Sequence, residues 1–355
     1  MKMFSACRRT CRFTFMDPDS IGLAVLGTGR AGIVHAINFC GGIRGCRVVV
    51  LADPAVQTLH RAARELCIAD GFTDYREALK HPAVDGVVIA TPSALHCEIA
   101  VSAAKAGKHI LCEKPMAMNV EECDAMIAAT REAGVILQIG FMRRFSESFV
   151  VAKTRIESGE IGEVVQVRAV THGPSYPKPW MFDLAKSNGA LAEVNSHDID
   201  SVRWFTDSDF QEVYAIAGNY RTPEARTEFP DFYDQVLLSA RLANGSQSSI
   251  SGAQGVQYAY DSRCEIIGTH GLISVGTLNG NEVLTCTKDK AILRSSMNSW
   301  TRLFRDAYLA EDIDFVECIR EQRPPRASGI DGRAAVSVVN AGNLSIREKR
   351  PVTLS

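Results

Sequence analysis

"IGLAVLGTGRAGIVHAINF" (residues 21–39) runs from an apolar hexapeptide through G-x-G-x-x-G into a stretch with helical spacing. A strand that turns at glycines and opens a helix is the first half of a βαβ unit, and the three glycines have separable tasks. Gly27 allows the tight turn, Gly29 lets the backbone approach a ligand, and Gly32 lets the helix lie close on the strand. The amides of the helix start then face a doubly charged group, so the loop Gly27, Thr28, Gly29, Arg30, Ala31 and Gly32 is expected to hold a pyrophosphate. The next strand, "CRVVVLADP", ends at Asp53, 21 residues beyond Gly32. A carboxylate there accepts bonds from both ribose hydroxyls and repels a 2′-phosphate. The pattern predicts a dinucleotide site favouring NAD over NADP, and Arg30 is the residue that could soften that preference.

Outward from this unit the alternation continues. "QTLHRAAREL" reads as a helix, "VDGVVIATP" and "KHILCEKP" as strands, and "LHCEIAVSAAKAG" as a helix closed by glycine. "EECDAMIAATREAG" and "VILQIGF" add another helix and strand. Buried-type strands alternating with helices predict a doubly wound parallel sheet. Beyond about residue 145 a helix near "FVVAKTRIESG" leads into strand-like alternation, strongest from 211 to 294. Asn244-Gly245 between two alternating runs is a hairpin signal, and "RCEIIGTHGLISVG" reads as a second hairpin. A final helix, "LFRDAYLAEDIDFVECIRE", stops before Pro324-Pro325. The expected fold is α/β: a Rossmann doubly wound domain over 21–142, then an α/β domain over 143–355 with a large, mostly antiparallel open sheet.

Composition is that of a soluble enzyme. The 355 residues suit two domains, and apolar and charged fractions of 46% and 23% are ordinary. A net charge of −2 gives no reason to expect nucleic acid or an anionic membrane as partner. The eleven cysteines form no C-x-x-C pair, which predicts reduced thiols, a reducing and hence cytoplasmic compartment, and no zinc site. Residues 1–20 are basic and read as a disordered extension or as a start placed too early, before Met16. An organelle-targeting peptide is the other reading of that segment.

Two stretches carry candidate chemistry. In "LCEKPMAMN" the lysine Lys114, beside Glu113, ends a strand where open α/β sheets bind their ligands. Thr91, Pro92 and His96 in "TPSALH" lie at another strand end and would flank the cofactor. In "GALAEVNSHDID" (189–200) Glu193, His197 and Asp200 are spaced four and three apart, neighbours on one helix face. That stripe reads as a proton-handling site, a metal site or a solvated face. The metal reading is disfavoured because ligands from other elements are missing.

"IATPSALHCEIAVSAAKAGKHILCEKPMAM", "GFMRRF", the G-x-L-x-acid-x-x-x-H-x-x-D run at 189–200, "YDSRCEIIGTHGLISV" and "FRDAYLAEDIDFV" together resemble the glucose–fructose oxidoreductase/inositol dehydrogenase (Gfo/Idh/MocA) family over residues 21–354. The resemblance implies NAD-dependent hydride transfer at a secondary hydroxyl of a sugar or cyclitol. It implies that Lys114 and His197 face that hydroxyl beside the nicotinamide, and that Lys114–Pro115 is cis. Neutral His197 is then the better base and Lys114 the group that stabilises alkoxide character, with the reverse allocation open. Glu193 departs from the family's usual aspartate by one methylene; it is expected to hold the imidazole or a substrate hydroxyl. Arg143, His172, Tyr176, Asp200, Tyr260 and Tyr308 lie where inositol-type relatives contact polyols. The second domain's open sheet implies a homo-oligomer, a dimer or tetramer. A net non-redox glycosidase using transient oxidation, and a nucleotide- or sugar-sensing relative without turnover, are the alternatives.

Overall fold

The computed structural model describes residues 20–276, 285–287, 290–293 and 299–354. The basic segment before residue 20, and part of the alternating run that ends near 294, lie outside the described residues. The chain forms two compact units, neither a single stretch: 124–140 and 308–329 join the part up to Glu113, and 114–123 joins the part that runs from 141 to 307 and from 330 onward. A boundary drawn at 142/143 misses both exchanges, because neither leaves a mark in local composition.

The first unit is built on six parallel strands, β1 (Ile21–Leu26), β2 (Cys46–Ala52), β3 (Asp70–Phe72), β4 (Gly86–Ile89), β5 (His109–Glu113) and β6 (Leu137–Gly140), in the order β3-β2-β1-β4-β5-β6. This is the doubly wound order, with its switch point between β1 and β4. Helices α1 (Arg30–Cys40), α2 (Val56–Leu66), α3 (Tyr75–Lys80), α4 (His96–Lys105) and α5 (Val120–Ala133) connect the strands. All six residues of β1 are buried, as a strand covered on both faces requires.

The second unit begins with α6 (Glu147–Glu157) and β7 (Val164–Gly173), followed by α7 (Leu184–Ser187), α8 (Gly189–Glu193) and α9 (Ser196–Thr206). Strands β8 (Phe210–Gly218), β9 (Gln235–Leu242), β10 (Gln247–Gln254), β11 (Asp261–Gly268) and β12 (Leu272–Val275) follow, with α10 (Ala225–Glu228) between β8 and β9. The short pair β13 (Thr285–Thr287) and β14 (Lys290–Leu293) precedes α11 (Trp300–Leu303) and α12 (Arg305–Glu321). Helix α13 (Gly329–Glu348) and β15 (Val352–Thr353) complete the chain. The large sheet, in the order β12-β11-β7-β10-β9-β8-β15, is antiparallel except between β7 and β10. Both expected hairpins form. Gly245 takes the turn between β9 and β10 at φ 89°, and β11 pairs with β12. One face of this sheet packs on α8 and α9; along β7, Val167, Ala169 and Thr171 are buried while Arg168 on the other face is exposed.

The "final" helix is not final, since α13 adds twenty residues after the prolines. Most of α12 belongs to the first unit, where Phe315, Val316 and Ile319 join Leu23, Val25, Phe39 and Leu111 in one apolar core. Its burial there outweighs any preference for its sequence neighbours. No helix among the described residues is long and apolar enough to cross a membrane.

Candidate active site

In the first unit the glycine loop has the geometry its sequence requires. Gly27 adopts φ 92°, and a Cβ there would lie 2.5 Å from the Ala90 carbonyl oxygen. A Cβ on Gly32 would lie 1.9 Å from the Gly27 oxygen, so helix and strand approach too closely for any side chain. At Gly29 a Cβ would meet nothing within 4 Å, and no side chain caps the N-terminus of α1. An exposed helix start with open space beside it fits a pyrophosphate.

Around this loop Asp53 is already oriented. Its Oδ2 accepts from the Thr28 amide at 2.7 Å and from the Thr28 hydroxyl at 2.9 Å, and Oδ1 accepts from the Ala55 amide at 2.8 Å. At the end of β4, His96 Nε2 donates to the Thr91 carbonyl at 2.9 Å, while Thr91 Oγ1 is buried with no partner. A buried hydroxyl costs free energy unless something pairs with it. Its position, directly after Ala90 and against Gly27, is where the switch point places a ligand. Arg30 is exposed and Ala31 half-buried at the start of α1, and Pro92 caps the turn before His96. These residues fit a dinucleotide.

Lys114 and His197 both belong to the second unit, although Lys114 follows β5 directly. The Lys114–Pro115 peptide is cis. The Lys114 ammonium donates to the Glu193 backbone carbonyl at 2.7 Å. Four residues on, the Met118 carbonyl accepts from Asn188 Nδ2 at 2.6 Å and Asn340 Nδ2 at 3.1 Å, which fastens this segment to α8 and α13.

The acid–histidine stripe is not one helix. Residue Glu193 ends α8, and a new helix begins at Ser196. At the break, Asn195 Nδ2 turns to Asp198 Oδ2 at 2.7 Å, and Asn195 sits on Gly252, where a Cβ would fall 1.8 Å from its Oδ1. His197 is buried, edge-on to Phe141 at 6.1 Å between centroids, and its Nδ1 has no hydrogen-bond partner. No carboxylate therefore bonds Nδ1, and of the two roles expected for Glu193 a bond to the imidazole at that atom is not formed. Burial holds the imidazole well below its ordinary range, and the positive charges of Lys114 and Arg143 add to the effect. A neutral imidazole results, which is the state a base needs.

The other expected substrate residues separate. Arg143 is buried, its guanidinium donating to Asp198 Oδ1 and Thr171 Oγ1, both at 2.6 Å. It acts on His197 as a fixed charge. Arg144 clamps Asp200 at 2.9 and 2.7 Å and also reaches Asp331, so Asp200 is a buried structural partner. Thr171 faces Asp198 on α9, so His172, its strand neighbour, points to the opposite face of the sheet. There His172 bonds Ser251 Oγ at 2.9 Å and the Tyr258 hydroxyl. Tyr176 is exposed and bonds Glu224 at 2.6 Å. Tyr260 is buried against Phe304, with Arg143 among the groups acting on its hydroxyl. Tyr308 lies in the first unit, edge-on to His35 at 5.5 Å. Asp198, Thr171 and Arg144 escaped the sequence reading, although Asp198 is the immediate neighbour of His197. Among the described residues no cluster of His, Cys, Asp and Glu could hold a metal ion, and eight cysteines are free thiols.

Comparison with known proteins decides the family. The profile of the oxidoreductase family with an NAD-binding Rossmann fold (GFO_IDH_MocA) matches residues 21–141, and that of the GFO/IDH/MocA C-terminal domain matches 149–274. The chain is 33% identical to a scyllo-inositol 2-dehydrogenase (NAD(+)) of Bacillus subtilis, over 93% of this chain and 95% of that protein. This chain belongs to the Gfo/Idh/MocA family. It is an NAD-dependent oxidoreductase of that family. A myo-inositol 2-dehydrogenase of Thermotoga maritima is 30% identical over 94% of this chain and 98% of its own length. A crystal structure of scyllo-inositol dehydrogenase from Lactobacillus casei, with bound NAD(H) and scyllo-inositol, matches at TM-score 0.85 and 25% identity, covering 94% and 99% of the two chains.

Proposed function

We propose that this Gfo/Idh/MocA protein oxidises one secondary hydroxyl of an inositol-type cyclitol, Lys114 and His197 handling the hydroxyl proton. The observation that carries the reading is the pairing of a tethered ammonium with an imidazole kept neutral and unbonded at Nδ1. NAD supplies the hydride acceptor. His197 takes the hydroxyl proton, and Lys114, oriented by the Glu193 carbonyl, stabilises the negative charge that develops on oxygen. The inositol dehydrogenases to which the chain is similar support the substrate class.

Leu237, Ile216 and Tyr214 lie exposed on the face of the large sheet opposite α9. This face is where a second copy would dock, making the protein a homo-oligomer, and the free thiols suit a cytoplasmic location. Light scattering of the purified protein tests the first point.

The function is tested by NADH formation across myo- and scyllo-inositol, hexoses and anhydrosugars. NADH from at least one inositol is expected. Tight NAD binding with no NADH from any polyol would overturn the reading, and hydrolysis of a glycoside without net NADH would point to the transient-oxidation alternative.

A further inference from the structure

Beneath the dinucleotide helix lies a buried polar cluster that hydride transfer does not itself require. His35 on α1 is fully buried; its Nδ1 bonds Asp312 Oδ1 at 2.6 Å and its Nε2 bonds Glu113 Oε1 at 3.1 Å. Asn38, one turn along α1, donates to the other Asp312 oxygen at 2.8 Å. Tyr308 closes the imidazole from the side, and a Cβ on Gly140 of β6 would fall 3.1 Å from Glu113 Oε2, so the carboxylate has no slack. Glu311, adjacent on α12, is buried with neither carboxyl oxygen paired, and the side chain of Gln138 donates to its carbonyl. Burial opposes a charge on His35, but Asp312 and Glu113 together hold it well above its ordinary range. Burial likewise keeps Glu311 protonated well above the usual carboxyl range.

A buried ion cluster is a poor way to gain stability, because desolvation offsets the attraction. It does fix orientation. Here it joins α1, which presents the dinucleotide loop, to the carboxyl end of β5, and Glu113 is bonded through its peptide to Lys114. We propose that His35, clamped between Asp312 and Glu113, is a positioning residue that couples dinucleotide binding at α1 to the placement of the β5 end, to which Lys114 is joined. The kinetic part of this proposal rests on the dehydrogenase reading above; the coupling within the first unit does not.

The test is amide hydrogen exchange of the full-length protein with and without saturating NADH, on the parent, His35→Gln and Asp312→Asn. NADH slows exchange across residues 28–36 and 109–116 in the parent. In the variants the protection of 28–36 persists and that of 109–116 falls by about 10-fold. Should His35→Gln fail to fold, Asp312→Asn carries the test, since it keeps the imidazole and an acceptor of the same shape. With myo-inositol, kcat falls about 10²-fold at little-changed KM, and the double variant is no slower than His35→Gln alone. Undiminished protection of 109–116 in a folded variant, or none there in the parent, overturns the coupling. A parent that makes no NADH from any polyol overturns the dehydrogenase reading instead, and the exchange experiment still decides the role of His35.

Discussion

The Lys114 ammonium is held 2.7 Å from the backbone carbonyl of Glu193. Glu193 therefore contributes through its main chain. A main-chain acceptor is indifferent to side-chain length, so the lysine keeps its anchor whichever acid stands at 193.

Removing the anchored ammonium tests its role directly. Lys114→Ala is expected to lower kcat for inositol oxidation by roughly 10² or more while NADH binding, read by fluorescence, stays within a few-fold. Near-parental turnover would remove Lys114 from the mechanism.

The environment of His197 sets a pH dependence. Its folded-state pKa lies well below 6.5, because burial, Lys114 and Arg143 all disfavour the cation. The base stays neutral as pH falls through 6.5, so the acid limb of kcat/KM for the oxidation lies below that value. Stability has the same cause and follows the linkage rule. The unfolded histidine binds a proton near 6.5 while the folded one does not, so this group's contribution declines as pH drops below 6.5. His197→Ala is expected to cost roughly 10² in turnover and to abolish the limb. A limb at or above 6.5 in the parent would contradict the arrangement.

Glu193→Asp separates side chain from main chain. The bond from Lys114 is retained, so the expected loss in kcat is modest, less than about 10-fold, with a changed order of preference among inositol isomers. An unchanged profile, measured as kcat/KM across the isomers, would show that the carboxylate meets no substrate.

Asp200 gives the contrasting outcome. It lies buried under the paired bonds of Arg144, so Asp200→Asn leaves a buried guanidinium undercompensated and should cost about 3–5 kcal/mol of unfolding free energy. Denaturant titration measures the loss. An unaltered midpoint accompanied by a raised KM would place Asp200 on the substrate side after all.

Cofactor choice turns on Asp53, whose carboxylate Thr28 orients through two bonds. Asp53→Ser is expected to lower the NAD-over-NADP ratio of kcat/KM by about 10-fold or more, because the repulsion of a 2′-phosphate disappears. A ratio that does not move would assign discrimination elsewhere.

What could be read from the residues were features whose cause is local. The G-x-G-x-x-G loop needs a positive φ at Gly27 and a bare α-carbon at Gly32, and both demands are visible in the spacing. The Asn244-Gly245 hairpin is legible for the same reason. Helical spacing puts Glu193, His197 and Asp200 on one face but says nothing about a break; at the break Asn195 packs on Gly252, which leaves no room for a Cβ. The motif puts His172 among the expected polyol contacts, and strand alternation turns it to the face opposite Thr171.

The sequence by itself determined the nucleotide loop and its acid at Asp53, and through its resemblance to the family it pointed to Lys114 and His197 as the pair to propose for the proton. Only the tertiary structure decided that burial keeps His197 neutral with its Nδ1 unbonded, that Arg143 and Asp200 are internal partners, and that His35 clamps Glu113 and Asp312. The reason is distance along the chain. His35 and Asp312 are 277 residues apart, and much of the cost of burying each is met by the other, a relation that no local pattern encodes.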